Sequence, residues 1–105
     1  MNSPQLPEER LAGASTAEIH SALFVQFVTG QAQMIMMLLG RYPNPQTGVL
    51  ESPNPEAAKV FIDHLEMIQA KTQGNLSAEE SRLLGQMLSA TQLTFAEVME
   101  AQLGR

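Results

Sequence analysis

The segment IDHLEMIQAKTQGNLSAEE, residues 62–80, contains the end of one helix, a tight connection and the start of another. Apolar residues recur at helical spacing from residue 58 to Thr72, which predicts one buried face of an amphipathic helix. Gly74 follows the last of them, and a glycine at that position favours the left-handed conformation that closes a helix. Lys71 lies in the last turn, where a cation complements the negative end of the helix dipole.

A second helix start follows almost at once. The letters SAEE at residues 77–80 form a capping box, in which Ser77 and Glu80 bond to each other's backbone N–H groups. Only Asn75 and Leu76 separate this start from the preceding stop, so we predict that the two helices form an antiparallel hairpin. Helix-end chemistry accounts for the polar groups here, and we interpret the corner as structural: Lys71, Thr72, Gly74, Asn75, Leu76, Ser77 and Glu80.

The same signals place the remaining helix. The letters STAE at residues 15–18 are another capping box, and Gly40 marks the end of the helix that follows. A proline-rich connection then leads to Asn54, a cap residue, and Pro55, which suits the first helical position. The predicted fold is all-α, a three-helix protomer with a long first helix. The expected helices are about 16–39, 55–73 and 78–102, in a single domain of residues 15–103 after a flexible arm of residues 1–14.

Composition excludes several function classes. The chain has 105 residues, a formal net charge of −5 and no cysteine. An acidic chain without clustered Lys and Arg is a poor match for nucleic acid, so we expect no nucleic-acid partner. The absence of cysteine removes disulfides and thiolate metal sites, and it fits a reducing cytoplasm. The start MNSPQLPEER lacks the basic and apolar regions of a signal peptide, and we therefore expect a cytoplasmic protein.

The first predicted helix is apolar over an arc wider than a surface helix needs. We expect the surplus to bind a second copy of the chain, so that a homo-oligomer completes the helical bundle. Both flanks of the helix are apolar. We place the candidate interface at Phe24, Val28, Ile35, Met36 and Leu39, opposite a flank of Leu23, Phe27, Met34 and Leu38. Periodicity alone does not decide which of the two flanks faces inward, so the reverse assignment stays open.

Other uses of that surface stay open. No charged residue lies between Glu18 and Arg41, which is long enough for a membrane span. The glutamines at positions 26, 31 and 33 and the initial capping box argue against a membrane span. An unidentified protein partner is a further alternative.

Catalytic and metal chemistry finds little support. His20 and His64 lie on different predicted helices without a recognisable ligand set, so we expect no metal, no cofactor and no catalytic residue. The sequence favours a non-enzymatic interaction or scaffold module. The alternative is a small-ligand-binding protein or an enzyme, with a pocket between the first helix and the corner at residues 71–76, in which Lys71 and Asp63 would meet a polar group of the first helix.

The motifs IDHLEM and KTQGNLSAEE, the LL pair at residues 83–84 and the later Phe95 resemble the Domain of Unknown Function 1844 family of small bacterial proteins. The resemblance covers about residues 18–95. It implies a compact helical domain and brings no assigned activity, cofactor or substrate.

Overall fold

The computed structural model describes residues 13–104, which form three helices. They are α1 (Thr16–Leu38), α2 (Pro55–Lys71) and α3 (Ala78–Leu103). This part of the chain contains no strand, so the predicted all-α fold is confirmed. Compared with the expected bounds, α1 ends one residue earlier, α2 two residues earlier, and α3 one residue later. The arm predicted for residues 1–14 lies, up to residue 12, outside the described residues.

Each helix begins where a side chain satisfies free backbone N–H groups. In α1 the Ser15 hydroxyl accepts from the Glu18 N–H at 3.1 Å, and the Glu18 carboxylate accepts from the Ser15 N–H at 2.8 Å. The Asn54 side chain accepts from the Ala57 N–H at the start of α2. These contacts span three residues, and for this reason the sequence alone can specify a helix start.

The three helices pack pairwise against one another. The first turns of α1, around Ala17 and Ser21, lie beside the α2–α3 corner, and Arg41, just after α1, lies beside Val98 near the end of α3. Helices α1 and α3 therefore run in the same direction, and α2 runs antiparallel to both.

The connection between α1 and α2 is a closed loop of residues 39–54. Its ends meet where the Asn54 N–H donates to the Leu38 carbonyl at 2.6 Å. Inside the loop, the Asn44 side chain donates to the Glu51 carboxylate at 2.8 Å. The loop thus leaves the bundle and returns to it at one point.

The core is a single apolar cluster between the helices. Val28 and Ile35 of α1, together with Leu39, are fully buried against residues such as Leu65 of α2 and Leu84 of α3. Thr91 is the buried polar residue of the described chain, and its hydroxyl donates to the Met87 carbonyl at 2.8 Å. Every helix contributes to this cluster, so the bundle depends on all three.

Candidate interaction surface

The structure reverses the sequence-based assignment of the two flanks of α1. Val28, Ile35 and Leu39 were predicted to form the interface, but their exposed fraction is 0%. Phe24 and Met36 are partly buried and pack against the same core. The candidate interface was therefore wrong, because these residues contact α2 and α3 of their own chain. Periodicity shows that a flank is apolar, but only packing decides which flank faces inward.

The opposite flank of α1 is exposed. Leu23, Phe27 and Met34 were expected in the core, yet 39%, 48% and 40% of their surface is exposed. They share one line along the helix with Gly30, at spacings of i, i+4, i+7 and i+11. Apart from the adjoining residues and the backbone of α1 itself, no atom lies within 4 Å of where a Cβ of Gly30 would be. We call Leu23, Phe27, Gly30 and Met34 the outer row.

Leu38 is the exception on this flank. It was expected in the core with Leu23 and Phe27, and it is partly buried against the core cluster. Its position at the end of α1, next to the point where the loop closes, accounts for the difference.

A recess of about 390 Å³ lies beside the second half of the outer row. Helix α1 supplies one wall, and the loop supplies the other through Tyr42, the single tyrosine of the chain. The lining residues are Gly30, Gln33, Met34, Met37, Tyr42, Asn44, Pro45 and Gln46. Sequence reasoning missed this recess, although a lone aromatic residue in a proline-rich loop was an available signal.

Helix α1 is also long and apolar enough to cross a membrane by length and composition, with a mean hydropathy of 1.3 over an 18-residue window. Core helices of soluble proteins and signal sequences can meet the same criteria, so this property does not distinguish among them. In the bundle, 17% of that window is buried. The low buried share reflects the exposed outer row and its neighbours.

The corner between α2 and α3 is built from helix-end contacts. The Ser77 hydroxyl accepts from the Glu80 N–H at 3.1 Å, and the Glu80 carboxylate accepts from the Ser77 N–H at 2.8 Å. The Thr72 hydroxyl donates to the Ile68 carbonyl, and the Asn75 N–H donates to the Thr72 carbonyl. These hydrogen bonds occupy polar groups that a catalytic site would need free.

Two further corner residues have conformational or packing roles. Gly74 has a φ of 77°, the left-handed conformation expected from its position after the apolar stripe. Leu76 is half-buried and packs against the core cluster. The corner is thereby fixed to the bundle by one backbone conformation and one apolar contact.

An open depression of about 620 Å³ lies between α1 and the corner, where a ligand pocket was the alternative expectation. Two carboxylates line it, Glu18 and Glu80, and each is fixed by the capping box of its own helix. The Ser21 hydroxyl of α1, and then the Ser77 N–H, lower the pKa of the Glu80 carboxyl. The charged form of Glu80 is therefore the one that the folded chain stabilises.

The residues that an enzyme would bring together in this depression are separated. The Asp63 carboxylate accepts from the Lys59 ammonium at 2.8 Å, and this contact raises the pKa of Lys59. Lys71 is exposed in the last turn of α2. Across residues 13–104, no three His, Asp or Glu side chains lie close enough together to hold a metal ion. The geometry presents an apolar surface and a recess without a catalytic constellation among the described side chains.

Comparison with known proteins gives one family and no closer relative. No curated protein and no solved structure matches the chain significantly. The model of a family described as a domain of unknown function (DUF1844) matches residues 21–97, which include α2 and most of α1 and α3. Because this match covers well over half of the chain, the protein belongs to the DUF1844 family.

Proposed function

We propose that the protein is a non-enzymatic helical interaction module that associates with a second copy through the outer row. The observation that carries this proposal is the exposure of Leu23, Phe27 and Met34 in one line on a helix whose other flank packs against the core. A continuous apolar line on a small soluble domain is typical of an interaction site, whereas exposed apolar residues that belong to no such site occur singly.

The length of α1 supports the same use. At 1.5 Å per residue, its 23 residues span about 34 Å. The outer row lies near the middle of that length, and the charged residues nearest to it along the chain are Glu18 and Arg41. A second helix can therefore lie along α1 without desolvating a charge at the centre of the contact, which is a cost that interfaces avoid.

Light scattering on purified protein tests the proposal. We expect the wild type to have the mass of an oligomer at micromolar concentration. Phe27→Glu and Leu23→Glu should give a folded chain of smaller mass, because a charge buried in the interface without a partner opposes association but leaves the core intact. Far-UV circular dichroism should show unchanged helix content.

Two control variants make the result specific. Val60→Glu changes an apolar residue of α2 that is 51% exposed and lies outside the outer row, and it should leave the mass unchanged. Val28→Glu places the charge in the core and should unfold the chain. A wild type that is monomeric at high micromolar concentration would refute self-association, as would a Val60→Glu variant that dissociates as much as Phe27→Glu.

A further inference from the structure

The exposed apolar side of α1 differs between its two halves. Leu23 and Phe27, which are both exposed, come before Gly30 in the helix. Met34 and Met37, which line the recess, come after it. The surface thus has an apolar half that protrudes and a half that is hollowed on one side, with Gly30 between them.

We propose that two copies pair through antiparallel α1 helices, about a two-fold axis close to Gly30. This arrangement rests on the proposed function and specifies its geometry. An axis between residues 30 and 31 places opposite one another the residues that lie equally far before and after that point. Phe27 of each protomer then lies against the partner's Met34 at the rim of the recess, and Leu23 lies beside the partner's Met37.

Shape and residue type favour the antiparallel pair. In a parallel pair each residue faces its own copy, so Phe27 would face the partner's Phe27 and the two recesses would face each other. The antiparallel pair brings each protruding half against a recessed half. It also brings an aromatic ring against a methionine, a favourable and adaptable contact. Gly30 has open space at its Cβ position, so the two backbones can approach at the centre.

The charges at the ends of α1 also favour the antiparallel pair. Glu18 lies in the first turn of α1 and Arg41 lies three residues after its end. Antiparallel pairing brings the acidic end of one helix near the basic end of the other and opposes the two helix dipoles. Parallel pairing would bring like ends together, at an electrostatic cost that salt reduces. The complementarity is therefore both steric and electrostatic.

Cysteine cross-linking tests the arrangement, because the chain has no cysteine of its own. Two singly substituted chains, Phe27→Cys and a size-tagged Met34→Cys, are mixed under reducing conditions, checked by light scattering and then mildly oxidised. Antiparallel pairing predicts that the mixed product exceeds either same-site product several-fold. The two copies of residue 27 would be about 10 Å apart along the helix axis, beyond the Cα separation of about 4.4–6.8 Å that a disulfide needs.

The distance between two spin labels can be measured without substituting a residue inside the proposed interface. His20 is exposed and lies ten residues before Gly30. In the antiparallel pair, labels on His20→Cys are separated by about 30 Å along the axis, whereas a parallel pair holds them side by side. A dimer with predominant same-site products and a short label distance would overturn the arrangement and leave self-association standing. A monomer by light scattering would overturn both.

Discussion

At the scale of single residues, two glycines end helices with the same backbone conformation but in different surroundings. Gly40 has a φ of 76° and Gly74 a φ of 77°. A Cβ on Gly40 would lie 2.8 Å from the backbone oxygen of Glu51 and 3.2 Å from the Pro53 ring. A Cβ on Gly74 would meet nothing within 4 Å. A substitution at Gly74 therefore costs only the strain of the backbone conformation, whereas one at Gly40 adds a steric clash.

We therefore expect Gly40→Ala to destabilise the fold more than Gly74→Ala. Both variants should lose about 1–2 kcal/mol because an L-residue resists the left-handed conformation. Gly40→Ala should lose more, since the backbone at Glu51 must shift to accept the new methyl group. Urea unfolding midpoints of the two variants measure the difference. Equal midpoints would show that the loop yields to the methyl group without cost.

The sequence specified the conformation of these glycines but not their surroundings. Each follows an apolar stripe, and this position alone predicts a left-handed residue. The crowding at Gly40 depends on Glu51 and Pro53, which reach it only because the loop closes at Asn54. That closure is a contact between residues sixteen positions apart, and no local pattern encodes it.

At the scale of elements, helix starts were predictable because their hydrogen bonds are local. Ser77 and Glu80 form hydrogen bonds with each other's backbone across three residues, so the letters SAEE alone predict the start of α3. The inward flank of α1 was not predictable, because Phe27 and Val28 are neighbours, both apolar, and differ only in what packs against them. The apolar surplus was therefore predicted on α1, but its exposed flank is the opposite of the one named.

The capping box of α3 should make stability depend on pH. The pKa of Glu80 is lowered in the folded chain from its ordinary value near 4.5, so folding favours the charged carboxylate. Its contribution is fully present above the unfolded pKa and is lost as the pH falls through the lower, folded pKa. The difference in urea midpoint between wild type and Glu80→Gln should therefore shrink as the pH falls below the ordinary pKa near 4.5.

Glu79→Gln is the matched control for that experiment. It removes the same charge from the same first turn, where both carboxylates lie near the positive end of the helix dipole, but its side chain is not part of the capping box. The pH dependence of its effect should be weaker. A Glu80→Gln difference that stays constant down to about pH 3 would contradict the role of the ionised carboxylate.

At the scale of the whole molecule, α1 has the length of a membrane span but supplies part of the core of a bundle. Val28 and Ile35 pack against α2 and α3, so insertion into a bilayer would remove the contacts on which the bundle depends. The glutamines at positions 26, 31 and 33 would also lose their water. Both considerations favour a chain that keeps α1 in the bundle.

We accordingly expect the full chain to stay in the supernatant after ultracentrifugation of a cell lysate without detergent. Phe27→Glu should stay there as well, since the variant makes α1 still less suited to lipid. Immunoblotting of the supernatant and of the detergent-extracted membrane fraction measures the distribution. Recovery from the membrane fraction alone would assign α1 to the bilayer and would leave the outer row facing lipid.

The sequence of the closed loop of residues 39–54 can diverge at a different rate from the sequence of the three helices. Doubling the length of a flexible loop adds only about 0.6 kcal/mol of closure entropy, and the bond between Asn54 and Leu38 joins the loop ends at the bundle. Insertions and deletions near Gln46 would therefore be tolerated by the helices. The same loop supplies Tyr42 and Pro45 to the recess. Substitutions in this loop would therefore reshape the recess while leaving the helices unchanged.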